Sequence, residues 1–264
     1  AVAVFVAVGS SMIRSGDGRT NRYDVEAGNN TYDNAVIENS KISEKNKIQN
    51  EQSMLDDIMN STQYPKQLKD LALKNEEALE FVYDYPAEHV KEHTIDLTEE
   101  ASMDSVPLFV QLDKRWGYEK YSGNFFAASG CGPTTLSMVV VYLTHNREAS
   151  PIAVAKYSKE AGYSVDGSGS SWTLISEGCM HYGVKAKAVA LDESRMKAEL
   201  DAGHPIVVNV GPGDFTDTGH FMVITGYDDE GFSINDPNSI EKSGKRWLFR
   251  NISSQIRAVW SMYV

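Results

Sequence analysis

"AASGCGPTTLSMVVVYL", Ala127 to Leu143, sets one cysteine between two glycines and follows it with an apolar run. Pro133 suits the first turn of a helix, where its missing N–H costs nothing. Leu136, Val139, Val140 and Leu143 then recur at helical spacing. The stretch predicts a core helix that begins at or just after Cys131 and runs to about Thr144. A thiol at that point meets free backbone N–H groups and the positive end of the helix dipole. Both favour the thiolate, the form of cysteine that attacks. Gly130 and Gly132 are expected to leave the backbone open to a substrate. Taken alone, the residue also reads as a small buried cysteine in a tight turn.

The chain around this stretch has 264 residues, a net charge of −12 and 41% hydrophobic residues. That is enough for one sizeable domain with an extension, or for two small ones. The acidic balance argues against nucleic acid, whose phosphates need a basic face. Cys131 and Cys179 are the only cysteines; one bridge between them is open, but two do not make a disulfide framework. Ala1 to Val8 is wholly apolar, yet far shorter than the roughly 20 residues of a membrane span. It reads as the tail of a removed signal or an N-terminal anchor, or else as a short strand or a cloning remnant.

Gly9 to Asn50 is polar and lacks apolar periodicity, so residues 1–50 are expected to end in a disordered tether. From Glu51, Met54, Leu55, Ile58 and Met59 follow helical spacing. Leu68, Leu71, Leu73 and Leu79 do so after Pro65, and Tyr85-Pro86 ends the section. Residues 51–104 are thus expected to form a helical arm of two short helices, ahead of a main domain over 105–264. His89 and His93 lie one helical turn apart with no third ligand at a fixed spacing, which suits a solvated helix end better than a metal site.

In the main domain, further helices are expected at Ile152 to Ala161, Ser171 to Tyr182 and Arg195 to Ala202. Strands are expected at Ile206 to Val210, Phe221 to Tyr227, Gly231 to Asn235, Trp247 to Phe249 and Ala258 to Val264. Helices followed by antiparallel strands describe an α+β domain. Among six histidines, His220 stands apart, because Gly219 introduces it and a strongly apolar strand follows it. An ionisable side chain at the rim of a buried strand suits a catalytic base. His145, His181 and His204 read as a helix cap, a solvated helix residue and a turn residue. Asp236, in "SINDPNS", is a candidate to orient the imidazole or simply a strand-ending turn residue.

Strand parity tests the pairing of His220 with Asp236. A two-residue hairpin loop at Asp229-Glu230 pairs 228 with 231 and would turn the two side chains to opposite faces. A three-residue loop, or a bulge between them, restores the match. The sequence leaves that register open.

"SGCGPTTLSMV", "GHFMVITGYD" and "INDP", in this order, resemble the stand-alone relatives of the bacterial double-glycine leader peptidases, a papain-like cysteine peptidase group. "VPLFVQLDKRWG" resembles the opening of those proteins, and "NEEALEFVYDYP" the helical lead-in of secreted Gram-positive relatives. The resemblance implies a papain-like fold, with N-terminal helices packed on an antiparallel sheet. It implies Cys131 as nucleophile, His220 as base and acid, Asp236 as the orienting residue, and chemistry through a thioester. Phe125 and Gly130 stand where transporter-linked relatives carry glutamine and aspartate, so Gln111 becomes the candidate oxyanion donor, and cleavage after a double glycine is not implied. Gly130, Gly132, Trp172 and Gly219 are expected to border the substrate. Trp116, Tyr118 and Tyr121 either join them or pack in the core.

The expected partner is a peptide or protein substrate. The start on Ala1 rather than Met leads us to expect a further segment upstream, which is a candidate membrane tether; the expected location is extracellular or at the cell surface, and no metal or organic cofactor is expected. An amidase or acyltransferase acting on cell-wall peptides, and a catalytically silent peptide-binding module, are the rival readings.

Overall fold

A helix that is apolar all round has to be buried, and the segment after Cys131 obeys this. In the computed structural model, which describes residues 30–264, Cys131–Thr144 is helical and every residue from Gly132 to Val141 is buried. Its polar members each find a partner. Thr134 Oγ1 donates to Gly130 O at 2.8 Å, Thr135 Oγ1 to Phe221 O at 3.1 Å and Ser137 Oγ to Ala149 O at 2.5 Å. The Thr135 bond ties the helix to the strand that begins at His220. His145 ends the helix in the left-handed conformation (φ 54°) and its Nδ1 lies 2.8 Å from Ala101 O.

The helices used below are α1 (Asn30–Asn60), α2 (Lys66–Lys74), α3 (Cys131–Thr144), α4 (Pro151–Glu160) and α5 (Glu193–Asp201). The main sheet has six strands: β1 (Lys185–Ala188), β2 (Ile206–Val210), β3 (His220–Asp228), β4 (Gly231–Asn235), β5 (Arg246–Trp247) and β6 (Ile256–Tyr263). Their order is β1-β6-β2-β3-β4-β5, and all neighbours are antiparallel. Both faces are covered. Val207, Phe221, Val223 and Met262 pack with α3 in one cluster, while Ile206, Val208, Met222 and Ile224 pack with Met196 of α5 in another. Neighbours in sequence point to opposite faces, so a strand covered on both sides reads as a continuous apolar run. The domain is α+β, with helices against an antiparallel sheet.

Several elements differ from the sequence reading. Residues 249–252 form a helical turn rather than the end of a strand. Ser171 to Tyr182 is broken at Glu177 into a short helix and a 3-10 turn. Pro86 does not stop the arm's helices; it sits in the first turn of another, Tyr85–Glu88, where proline is tolerated. The tether expected through Asn50 is corrected by α1, which begins at Asn30. Residues 40–50 are all exposed there, so that part of the helix rests on local propensity and buries no stripe. The apolar Ala1 to Val8 lies outside the described residues.

The described residues divide into 30–48 and a compact body from Gln49 to Val264. Within that body the arm has a core of its own, in which Ile58, Leu68, Leu71, Phe81 and Val82 pack with Phe125 and Ala127. The last two immediately precede the cysteine turn.

Candidate active site

The hairpin between β3 and β4 decides whether His220 and Asp236 can meet. Asp228 pairs with Gly231 across a two-residue loop, an odd sum of positions. Beyond it, Ile224 pairs with Ile234 and Val223 with Asn235, both even sums. The register shifts between Ile224 and Gly226, so Thr225 is the extra residue of a β-bulge. The bulge turns His220 and Asp236 to the same face, and His220 Nε2 donates to Asp236 Oδ1 at 2.7 Å. Because a carboxylate accepts only, this bond fixes the ring proton on Nε2 and leaves Nδ1 for another partner.

Cys131, the first residue of α3, lines the same cavity as His220 and is partly exposed and unbridged. No side chain caps the start of α3, so its first amides are free for an anion. The His220 ring and the backbone N–H groups of Gly132 and Phe221 surround the sulfur and favour its anionic form.

Burial alone would raise the Cys131 thiol, yet the imidazole's bond and charge and the two backbone donors hold it below its ordinary value. Burial alone would likewise lower His220. The charge and hydrogen bond of Asp236, with the facing sulfur, instead push it up to about 10. The two shifts together favour a thiolate beside an imidazolium. Cys179 is the contrast: it is fully buried, and desolvation pushes it up to about 11.

Asp236 is fully buried. The backbone N–H of Asn238 donates to its Oδ1 at 2.8 Å, and its own N–H donates to Ser243 Oγ at 2.9 Å. Gln111 enters the same cavity as Cys131 and His220, but both of its amide protons are engaged. Nε2 donates to Ala127 O at 2.6 Å and to Asn238 Oδ1 at 3.0 Å, and its backbone N–H donates to Pro237 O at 2.7 Å. Gln111 therefore braces the turn before Cys131 against the turn after Asp236, with no amide proton left for an oxyanion in this arrangement.

The glycines are present for a different reason from the one expected. A Cβ on Gly130 would fall 2.6 Å from the Phe126 ring, and one on Gly132 would fall 2.5 Å from Ser170 Oγ. Both positions are buried, so the clearance serves close packing behind the thiol rather than access for a substrate. Gly219 is exposed and Trp172 is 48% exposed, and both line a cavity of about 310 Å³ that includes Cys131. A larger cavity of about 660 Å³ also reaches Cys131 and adds His220 and Gln111.

The other three aromatics line neither of these cavities. Trp116 is a core residue, Tyr118 stacks on Phe81 of the arm with ring centroids 4.2 Å apart, and buried Tyr121 bonds Ser158 and Ser170. Among the other histidines, His181 stacks on Tyr157, His204 bonds Glu199, and His89 and His93 bond backbone carbonyls of Tyr85 and Glu88. Asn238 was not singled out from the sequence. Its signal is the turn-forming Asp-Pro-Asn run that ends β4.

A thiol at the head of a central helix, facing a histidine on an antiparallel sheet, defines the papain-like cysteine peptidase class. Residues 103–264 match the model of the Peptidase_C39 like family, and the chain belongs to that family. No curated protein matches the chain. Among solved structures, the peptidase domain of Streptococcus ComA, a bi-functional ABC transporter involved in a quorum sensing pathway, is similar at 19% identity. That match covers 60% of this chain and 96% of that one, with a TM-score of 0.43. A C39-like peptidase from Bacillus anthracis is similar at 18% identity, covering 64% of this chain and 98% of that one, with a TM-score of 0.37.

Proposed function

We propose that the chain is a cysteine peptidase that works through Cys131, His220 and Asp236. The observation that carries this reading is the buried pair in which Asp236 Oδ1 accepts from His220 Nε2, in the cavity that His220 and Cys131 line together. The thiolate attacks the scissile carbonyl carbon, forming a C–S bond and an oxyanion. As the C–N bond breaks, the imidazolium gives its Nδ1 proton to the leaving amine. His220 then takes a proton from water, which attacks the thioester, and the carboxylic acid leaves as the thiolate is restored. The N–H of Cys131 at the helix start is the donor we assign to the oxyanion. Gln111 joins it only by giving up a present partner, Ala127 O or Asn238.

The two cavities share Cys131 and Thr218 and otherwise have different walls. A cleft that continues past the nucleophile in this way suits an extended peptide better than a small molecule.

The test is incubation of the protein with a mixture of synthetic peptides, read by mass spectrometry beside a Cys131→Ala variant. Cleavage by the parent, with a transient acyl adduct on Cys131 and neither in the variant, supports the proposal. Cleavage that survives the substitution, or an absence of both cleavage and adduct in the parent, sinks it.

A further inference from the structure

The family match begins at residue 103, yet residues well before it reach the triad. Asn75 lies between α2 and a 3-10 turn, Glu76–Ala78, and caps that turn by accepting from Glu77 N–H at 3.0 Å. Its other amide atom faces the catalytic body: Nδ2 donates to both the backbone O and Oδ1 of Asn238, each at 3.2 Å. Asn238 in turn gives its N–H to Asp236 Oδ1, the oxygen that accepts from His220. Its side chain takes a proton of Gln111.

Glu77 continues the same attachment. Its carboxylate accepts from the Ser239 hydroxyl and from the N–H groups of Ile240, at 2.7 Å, and Glu241, at 3.3 Å. The turn that follows Asp236 is thereby held by two consecutive-but-one residues of the arm. Apolar packing backs these bonds, since Leu68, Leu71 and Phe81 share a cluster with Phe125 and Ala127 just before Cys131. Polar bonds between segments so distant in sequence have no local reason to form, and each must offset the entropy of ordering both sides.

We propose that Asn75 and Glu77 are positioning residues of the reaction, Asn75 through Asn238 and Glu77 through Ser239 and the two amides after it, which together hold Asp236 Oδ1 in line with the His220 ring. The arm is then a working part of the peptidase site rather than a spacer. This inference rests on the triad reading above. Asn75 touches no reacting atom; its effect passes through the turn that presents the carboxylate. Loosening the turn lets Asp236 sample positions in which the His220 imidazolium is less stabilised, while the thiol and its helix stay in place.

The experiment uses the full chain and follows the His220 ring by NMR against pH, assigned with a His220→Gln variant. Asn75→Ser keeps a good N-cap and every charge of the cavity but gives up the paired bonds to Asn238. The expected result is a fall of about half to one pH unit in the His220 ionisation, the worth of one hydrogen bond. Glu77→Gln is expected to move it in the same direction. Adding Asn75→Ser to Asn238→Ala should shift the titration by less than it does in the parent, because only the bond to the residue 238 carbonyl is left to lose and the two positions act in series.

A folded Asn75→Ser and a folded Glu77→Gln whose titrations superimpose on the parent's would overturn the inference, as would additivity in the double variant. A parent protein whose His220 titrates at its ordinary value would instead overturn the triad reading itself. A lower melting temperature with an unmoved titration marks the bonds as structural only, and that too counts against the proposal.

Discussion

Replacing Asp236 with Asn removes a charge and keeps the shape. The Asn oxygen can still accept from His220 Nε2, which now lies 2.7 Å from Asp236 Oδ1, so geometry is largely preserved. What disappears is the Coulomb attraction that outweighs burial. For charge centres about 4 Å apart at an effective dielectric of ~20 this is about 4 kcal/mol, roughly a thousandfold in proton affinity. That size is enough to bring His220 from about 10 down to about 7. At pH 8 the imidazolium fraction then drops from about 99% to about 9%, some tenfold.

The assay is the rate of Cys131 alkylation by iodoacetamide as a function of pH. The parent should react as a lowered-pKa thiol, and Asp236→Asn should lose that reactivity near neutrality and recover it only where an ordinary thiol ionises. Stability supplies a second sign. A histidine whose folded pKa is raised contributes stability that is fully present below 6.5 and lost as pH rises through about 10. The parent's unfolding free energy should therefore fall over that interval, and the variant's should stay flatter. Alkylation profiles that superimpose for parent and Asp236→Asn would refute the reasoning.

Two further predictions concern the scaffold. Deleting Thr225 removes the bulge, and a folded deletion variant should lose the His220–Asp236 bond and react with iodoacetamide no faster than the denatured chain; parent-like reactivity in a folded variant would contradict the parity argument. Gly132→Ala drives a methyl into Ser170 and should cost about 1–3 kcal/mol in urea unfolding. Adding Ser170→Gly should restore part of the loss, and an unchanged urea midpoint in Gly132→Ala would show that the turn has slack that the 2.5 Å approach denies.

The parts of this molecule that could be read from the sequence are those in which one local pattern decides the outcome. The helix of Cys131 is announced by Pro133 and an apolar run, and it begins at the cysteine as expected. Ile206–Val210 and Gly231–Asn235 are strands at the expected bounds, because branched residues there are bracketed by turn formers. Lys185–Ala188 escaped notice because alternating Lys and Ala carry weak strand preference, and the segment is a strand only by pairing with Trp260 to Tyr263.

The site was legible in its residue types but not in its register. Whether His220 and Asp236 share a face turned on a single extra residue at Thr225, which no composition signal marks. Gly130 and Gly132 were visible as special positions, but what they clear, Phe126 and Ser170, is a tertiary fact. The reach of Asn75 to Asn238 spans 163 positions and has no sequence signature at all.

The claim at the centre of this account is that Cys131 exists as a thiolate stabilised by His220. Far-ultraviolet thiolate absorbance, titrated with Cys131→Ala as the blank, measures it without any substrate. The account predicts a Cys131 ionisation below the ordinary thiol value of 9.0, moved upward in His220→Gln. An ionisation at or above that value in the parent would contradict it.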